Sequence, residues 1–85
     1  MNLKIKKDLA YRRIAGEVFI VDAAKAEMHE LNGPAAIIWE GIASGKTEKR
    51  LIAEMIGEFE VDEKTAGADL KSFLGEMLEA GLVCR

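Results

Sequence analysis

Asn32-Gly33-Pro34 divides this chain into two halves with different periodicities. Proline has a fixed φ and no N–H, so it is tolerated at the first position of a helix and not inside a strand ladder. Whatever precedes Asn32 must stop there as extended chain, and whatever follows Pro34 must start as helix. Ala35-Ala36-Ile37-Ile38-Trp39 then carries the one tryptophan into the helix that opens. The junction therefore fixes the length of the last strand and anchors the first helix.

Upstream, the pattern is of strands and turns. Leu3-Lys4-Ile5-Lys6 alternates briefly and reads as an extended lead-in. Tyr11–Ile14 and Glu17–Asp22 read as two strands, with Ala15-Gly16 as the tight turn, since glycine adopts positive φ at little cost. Val18 to Val21 is apolar at every position, as in a strand covered on both faces. Ala23-Ala24-Lys25 forms a second turn. Ala26–Leu31 is a third strand, with helix-friendly composition but too short for a stable helix.

Downstream there are three helices. The first runs from about Pro34 to Ser44 and ends at Gly45. The proline rule makes Gly33 its cap, whereas side-chain chemistry favours Asn32. The second runs from about Thr47 to Phe59, capped by Thr47, with Leu51, Ile52, Met55, Ile56 and Phe59 on one stripe. The third runs from about Glu63 to Ala80, capped by Asp62 and stopped by Gly81. Its stripe is Ala66, Leu70, Phe73, Leu74, Met77 and Leu78. Leu82-Val83 folds back as an apolar contact. The order is βββααα: an α+β domain whose antiparallel three-stranded sheet is covered by three helices.

Length and composition agree with that picture. Eighty-five residues, 49% apolar and 32% charged, make one small globular domain, residues 1–85, and not a disordered chain. The net charge of −3 argues against a nucleic-acid footprint. Residues 1–25 hold six basic and three acidic side chains, and residues 26–85 six and twelve, so only the first part is basic. A lone cysteine, Cys84, excludes an internal disulfide and fits a reducing cytoplasm. No apolar run resembles a signal peptide or a membrane span.

Reactive chemistry is sparse. Ser44-Gly45-Lys46-Thr47 resembles the end of a phosphate-binding loop, but Glu40 stands where the first glycine belongs and the segment follows a helix. It reads as a helix–helix turn. His29 is the one histidine and Cys84 has no CxxC partner, so no metal set exists at recognised spacing. No nucleophile–base pair can be assembled, so neither a catalytic residue nor a cofactor is expected, and an enzyme working alone is not. On a strand, Glu27 and His29 share a face and could decorate a binding edge. One flank of the third helix carries Gly67, Lys71, Leu74, Gly75 and Leu78. Each glycine costs about 1 kcal/mol relative to alanine in a helix interior. They permit close packing within the fold, or a shallow groove floored by Leu74 and Leu78 with Lys71 at its rim.

The ordered set Arg13–Asp22, Leu31-Asn32, Ala35-Ala36, Ile38-Trp39-Glu40, Gly45-Lys46-Thr47, Asp69, Phe73-Leu74, Leu78 and Gly81-Leu82-Val83 resembles the small PqqD-like proteins. These are the stand-alone form of the peptide-recognition domain in pathways that modify ribosomally made peptides. The resemblance implies a winged-helix-like fold with no catalytic or metal site. It implies a precursor whose leader peptide adds as a strand to the third strand and packs against the third helix. Transferred here, the edge comprises Glu27, Met28, His29, Glu30 and Leu31, and the helix wall Leu70, Lys71, Leu74 and Leu78. The implied role is a non-catalytic chaperone that presents the peptide to a separate modifying enzyme. The member that names the family serves a radical S-adenosylmethionine enzyme in pyrroloquinoline quinone assembly. Two other readings stand beside it. A winged-helix nucleic-acid binder conflicts with the carboxylates on the third helix, which would repel phosphates. A structural assembly subunit would use the same edge to pair with itself or another protein.

Overall fold

The computed structural model describes residues 3–85. Its elements, in chain order, are β1 Lys4–Ile5, β2 Leu9–Ile14, β3 Glu17–Asp22, β4 Glu27–Leu31, α1 Gly33–Ser44, α2 Glu48–Phe59, α3 Glu63–Glu79 and β5 Val83–Cys84. The three-stranded antiparallel sheet has the order β2-β3-β4. The expected α+β arrangement of three strands followed by three helices is present, with one addition described below.

β2 and β3 form a hairpin with Ile14 opposite Glu17 and Leu9 opposite Asp22. Its turn residues Ala15 and Gly16 have φ of 51° and 83°. Positive φ at both central positions follows the right-handed twist of the flanking strands. The β3–β4 turn is tied by Asp22, whose Oδ1 accepts from the Lys25 backbone N–H at 3.3 Å. Asp22 is only 2% exposed, and Lys6 Nζ lies 3.9 Å from its other oxygen. The charge is thus buried beside a cation and a turn amide.

β3 departs from expectation. Val18 and Ile20 are fully buried, but Val21 is 41% exposed and Phe19 half-buried. Only one face of the sheet is covered. Continuous apolar character does not distinguish a strand buried on two faces from one whose outer face is apolar and bare.

The helix starts follow local chemistry. Thr47 Oγ1 accepts from the Arg50 backbone N–H at 3.2 Å, and Asp62 Oδ1 from that of Thr65 at 2.7 Å. Asn32 holds the cap position of α1 but makes no side-chain bond there, and Gly33 takes a φ of 54° ahead of Pro34. α1 ends at Gly45, with φ 72°, where the Lys46 N–H bonds to the Gly41 carbonyl. Lys46 then pairs with Glu54 at 2.8 Å. The Ser44–Thr47 segment is accordingly a helix–helix turn.

The core lies between the inner sheet face and the helices. Trp39, Ile20, Ile38, Leu51, Met55, Leu70 and Val18 are its largest fully buried apolar side chains. Tyr11 of β2 meets the Trp39 ring edge-on, with centroids 5.3 Å apart and planes at 85°. Contacts of this geometry contribute about 0.5–1.5 kcal/mol beyond burial.

The addition is a second sheet. β1 pairs antiparallel with β5, Lys4 opposite Cys84 and Ile5 opposite Val83. The Lys6 N–H extends the pairing to the Leu82 carbonyl at 3.0 Å. The expected lead-in and the expected apolar tail are therefore one structure, with Leu82 and Val83 each 3% exposed.

Candidate functional site

β4 pairs with β3 alone, so its other side presents backbone N–H and C=O groups without a strand partner. Register sorts its side chains. Glu27, His29 and Leu31 stand opposite Asp22, Ile20 and Val18, all buried, and so take the inner face. Met28 and Glu30 stand opposite Val21 and Phe19 on the outer face, and Met28 is 74% exposed.

The ends of this edge are fixed. Ala26, with φ 53°, turns the chain into β4, and its N–H bonds to the Ala23 carbonyl. Lys25 Nζ donates to the Ala80 carbonyl at 3.1 Å, tying the turn to the end of α3. Gly33 and Pro34 stop the strand after Leu31. Between these limits His29 is the central inner-face residue. Its Nε2 is buried without a hydrogen-bond partner, and the nearest Glu27 carboxylate oxygen is 4.0 Å away. That distance is too long for a hydrogen bond.

The third helix is arranged differently from the expected wall. Leu70 is fully buried in the core and offers nothing to a surface ligand. Lys71, Leu74 and Leu78 do come together, with Gly75, in a shallow groove of about 440 Å³. Its other borders are Leu3, Glu48 and Arg85, and no β4 residue lines it. A second hollow of about 730 Å³ continues it between α2 and α3, along Ile52, Lys64 and Gly67. An added Cβ on Gly67 would just touch Ile52 at 4.0 Å, whereas nothing lies within 4 Å of one on Gly75. The glycine-bearing flank thus faces α2 and the first residues of the chain.

The expected site joined β4 with this flank; among the described residues the groove of Lys71, Leu74 and Leu78 has no border from β4. Glycine spacing identifies an open flank but not the element that faces it. Asp69, Phe73, Glu76 and Ala80 recur at intervals of three and four residues on the opposite flank, and Ala80 is the residue bonded to Lys25.

Electrostatics distinguish the outer face. The Glu17 carboxyl is raised above the usual carboxylate range, first by a hydrogen bond with Glu30 and then by the Glu30 charge. At the start of α3, the Thr65 N–H holds the Asp62 carboxyl below its ordinary value. Among the described residues, no cluster of three His, Cys, Asp or Glu side chains could hold a metal ion. Among the same residues, no helix is long and apolar enough to cross a membrane.

Comparison with known proteins gives a consistent picture. The family described as Coenzyme PQQ synthesis protein D (PqqD) matches residues 17–83. Among curated proteins nothing matches the sequence. Two solved structures share the fold. One, described as TbiB1 in complex with the TbiA(beta) leader peptide, aligns with a TM-score of 0.85 at 24% identity, covering 94% of this chain and 93% of its own. The other, a lasso peptide synthetase B1 complexed with the leader peptide, aligns at 0.89 with 18% identity over 100% of both chains.

Proposed function

The chain belongs to the PqqD family, and from that premise we propose that it is a non-catalytic leader-peptide chaperone. It captures the leader of a ribosomally made precursor peptide by strand addition at β4 and presents it to a separate modifying enzyme, such as a radical S-adenosylmethionine protein. The observation that carries this reading is the edge from Glu27 to Leu31, without a strand partner and held at both ends. Main-chain bonds to such an edge supply affinity, and side-chain pockets supply sequence preference. Both neighbouring structures are leader-peptide complexes, which supports the assignment.

The inner-facing residues of an added strand would lie beside Glu27, His29 and Leu31. The orphaned His29 Nε2 would offer one of them a hydrogen bond. We place the helix wall on the flank bearing Phe73, with Asp69 and Glu76, which lies in the helical row of Ala80, the residue whose backbone carbonyl accepts from Lys25. Lys71, Leu74 and Leu78 belong to the other groove. The exposed, unpaired thiol of Cys84 fits residence in a reducing cytoplasm. Acidic side chains along α3 disfavour the nucleic-acid alternative.

NMR titration with the leader peptide encoded beside this chain tests the reading. Amides of residues 27–31 and of Phe73 and Glu76 should shift. Shifts at Lys71, Leu74 and Leu78 alone would move the site to the other groove, and none at millimolar peptide would remove the function.

A further inference from the structure

Among the described residues the outer face of the β2-β3-β4 sheet carries no covering element, although it presents Ile14, Phe19, Val21 and Met28 beside its charged side chains. Four large hydrophobic side chains are exposed among the described residues, and three of them, Ile14, Val21 and Met28, lie on this face. Val21 and Met28 are direct cross-strand partners, and half-buried Phe19 sits in the next row beside Glu30. Glu30, opposite Phe19, stands diagonal to Glu17 and raises its carboxyl above the usual range; neither is in an ion pair among the described residues, and Arg12, opposite Phe19 on the other side, is the cation of this face. A sheet face left to water ordinarily alternates to polar residues. Here apolar side chains adjoin two carboxylates with one cation, Arg12, in the neighbouring row, and the face keeps a net negative charge.

We propose that this face is the docking surface for the modifying enzyme, which presents an apolar segment to Val21 and Phe19 and a lysine or arginine to the Glu17–Glu30 pair. Two carboxylates forced together are relieved by a cation placed between them, which sets the charge of the partner. Area decides against a second copy of this chain. Three strands spaced about 4.8 Å apart and about 20 Å long cover on the order of 300 Å². A stable dimer needs about 800 Å² from each partner. A surface of this size suits a transient contact, which a delivery protein requires.

The surface is also continuous with the peptide site. A strand added at β4 puts alternate side chains inward and the rest outward, in line with Met28 and Glu30. The loaded sheet is then one strand wider, and the enzyme reads cargo and carrier on one plane. This extension rests on the strand-addition reading. The docking face itself does not.

The test uses the intact chain, the leader peptide encoded beside it and the purified modifying enzyme from the same gene neighbourhood. Val21→Lys and Glu17→Lys change the face from β3, beside Met28 and Glu30 but away from the open backbone edge of β4, and Ile14→Lys on β2 provides a second apolar position, with no β4 partner, should Val21→Lys fold poorly. Fluorescence anisotropy should give leader affinities within twofold of wild type. Enzyme binding, measured by biolayer interferometry, should weaken at least tenfold, and leader-loaded wild type should bind several-fold more tightly than free. Equal enzyme binding by folded variants overturns the proposal, as does a wild-type chain that does not bind the enzyme. A solution mass of two chains that Val21→Lys reduces to one assigns the face to self-association instead. Loss of leader binding by the wild type sinks the strand-addition reading, while the variants still decide the face.

Discussion

Lys25 and Ala80 are 55 residues apart in the chain and joined by one hydrogen bond, from the lysine Nζ to the alanine carbonyl at 3.1 Å. The carbonyl belongs to the last turn of α3, where acceptors lack helical partners. The lysine belongs to the turn that launches β4. One contact thus ties the turn that opens the edge strand to the C-terminal end of α3.

Lys25→Met should therefore separate stability from binding. An exposed bond of this kind contributes about 0.5–1 kcal/mol, so the melting temperature should fall only slightly. Leader affinity should fall several-fold, because the turn that opens β4 loses its tie to α3. Calorimetry and anisotropy on one sample check both halves, and unchanged affinity would show that the tie is irrelevant to the site.

Phe73→Ala and Leu74→Ala test which flank of α3 receives the peptide. Both side chains are half-buried at the margin of the core, so truncation should destabilise both variants comparably. Only Phe73→Ala should weaken leader binding, by tenfold or more. The reverse ranking would return the site to the groove of Lys71 and Leu78.

Gly41 is the tightest position between α1 and α2. A Cβ there would run into Leu51, meeting its Cδ2 first and its Cγ at 2.9 Å. Leu51 is fully buried, so it has little room to yield. Gly41→Ala should cost about 1–3 kcal/mol, as overpacking does. Adding Leu51→Ala should cost less in that background than in wild type, a coupling that urea denaturation can measure.

Ala15 pays the steric cost of a positive φ, 51°, in the β2–β3 turn. For an L-residue with a Cβ this is about 1–2 kcal/mol. Asparagine tolerates the conformation better, so Ala15→Asn should raise stability by about 1 kcal/mol. No gain in denaturation midpoint would mean that the neighbouring strands set the turn regardless of its residue.

Acid should loosen α3 at its start. The folded carboxyl of Asp62 titrates below its unfolded value. Its capping contribution is therefore complete above the unfolded pKa and is lost as pH falls through the lower, folded one. Glu17 has the opposite sign: its proton is held more tightly in the folded state, so its contribution is present at low pH and lost as pH rises past the raised value. The protection of the Thr65 amide, measured as its exchange rate relative to the intrinsic rate at each pH, should fall with acid in wild type and not in Asp62→Ala.

Features set by chemistry within a few residues were legible in the sequence. Thr47 and Asp62 cap helices because a side-chain oxygen reaches an amide three residues on, and nothing distant is needed. Ala15-Gly16 and Gly45 announce turns for the same reason. The closure of β1 onto β5 was not legible, because two-residue strands carry no period and their partners lie at opposite ends of the chain. Val21 was misread because hydrophobicity does not reveal which side of a strand is covered. The edge at Glu27–Leu31 came from the family resemblance, with which the weak apolar content of this strand is compatible. Its separation from the groove of Lys71, Leu74 and Leu78 depended on the placement of α2 and Leu3, which no local pattern encodes.

The pairing of Ile5 with Val83 brings the beginning and end of the described chain side by side. Leu3, Lys4 and Ile5 adjoin Tyr11 of β2, at the opposite border of the sheet from β4. A polypeptide could enter and leave this unit through almost the same point. Such a unit can be spliced into a host loop, or carried at either end of a larger protein, with little distortion of the host. The fold is in this respect a portable cassette, and grafting it into an unrelated carrier would test whether the proposed peptide capture travels with it.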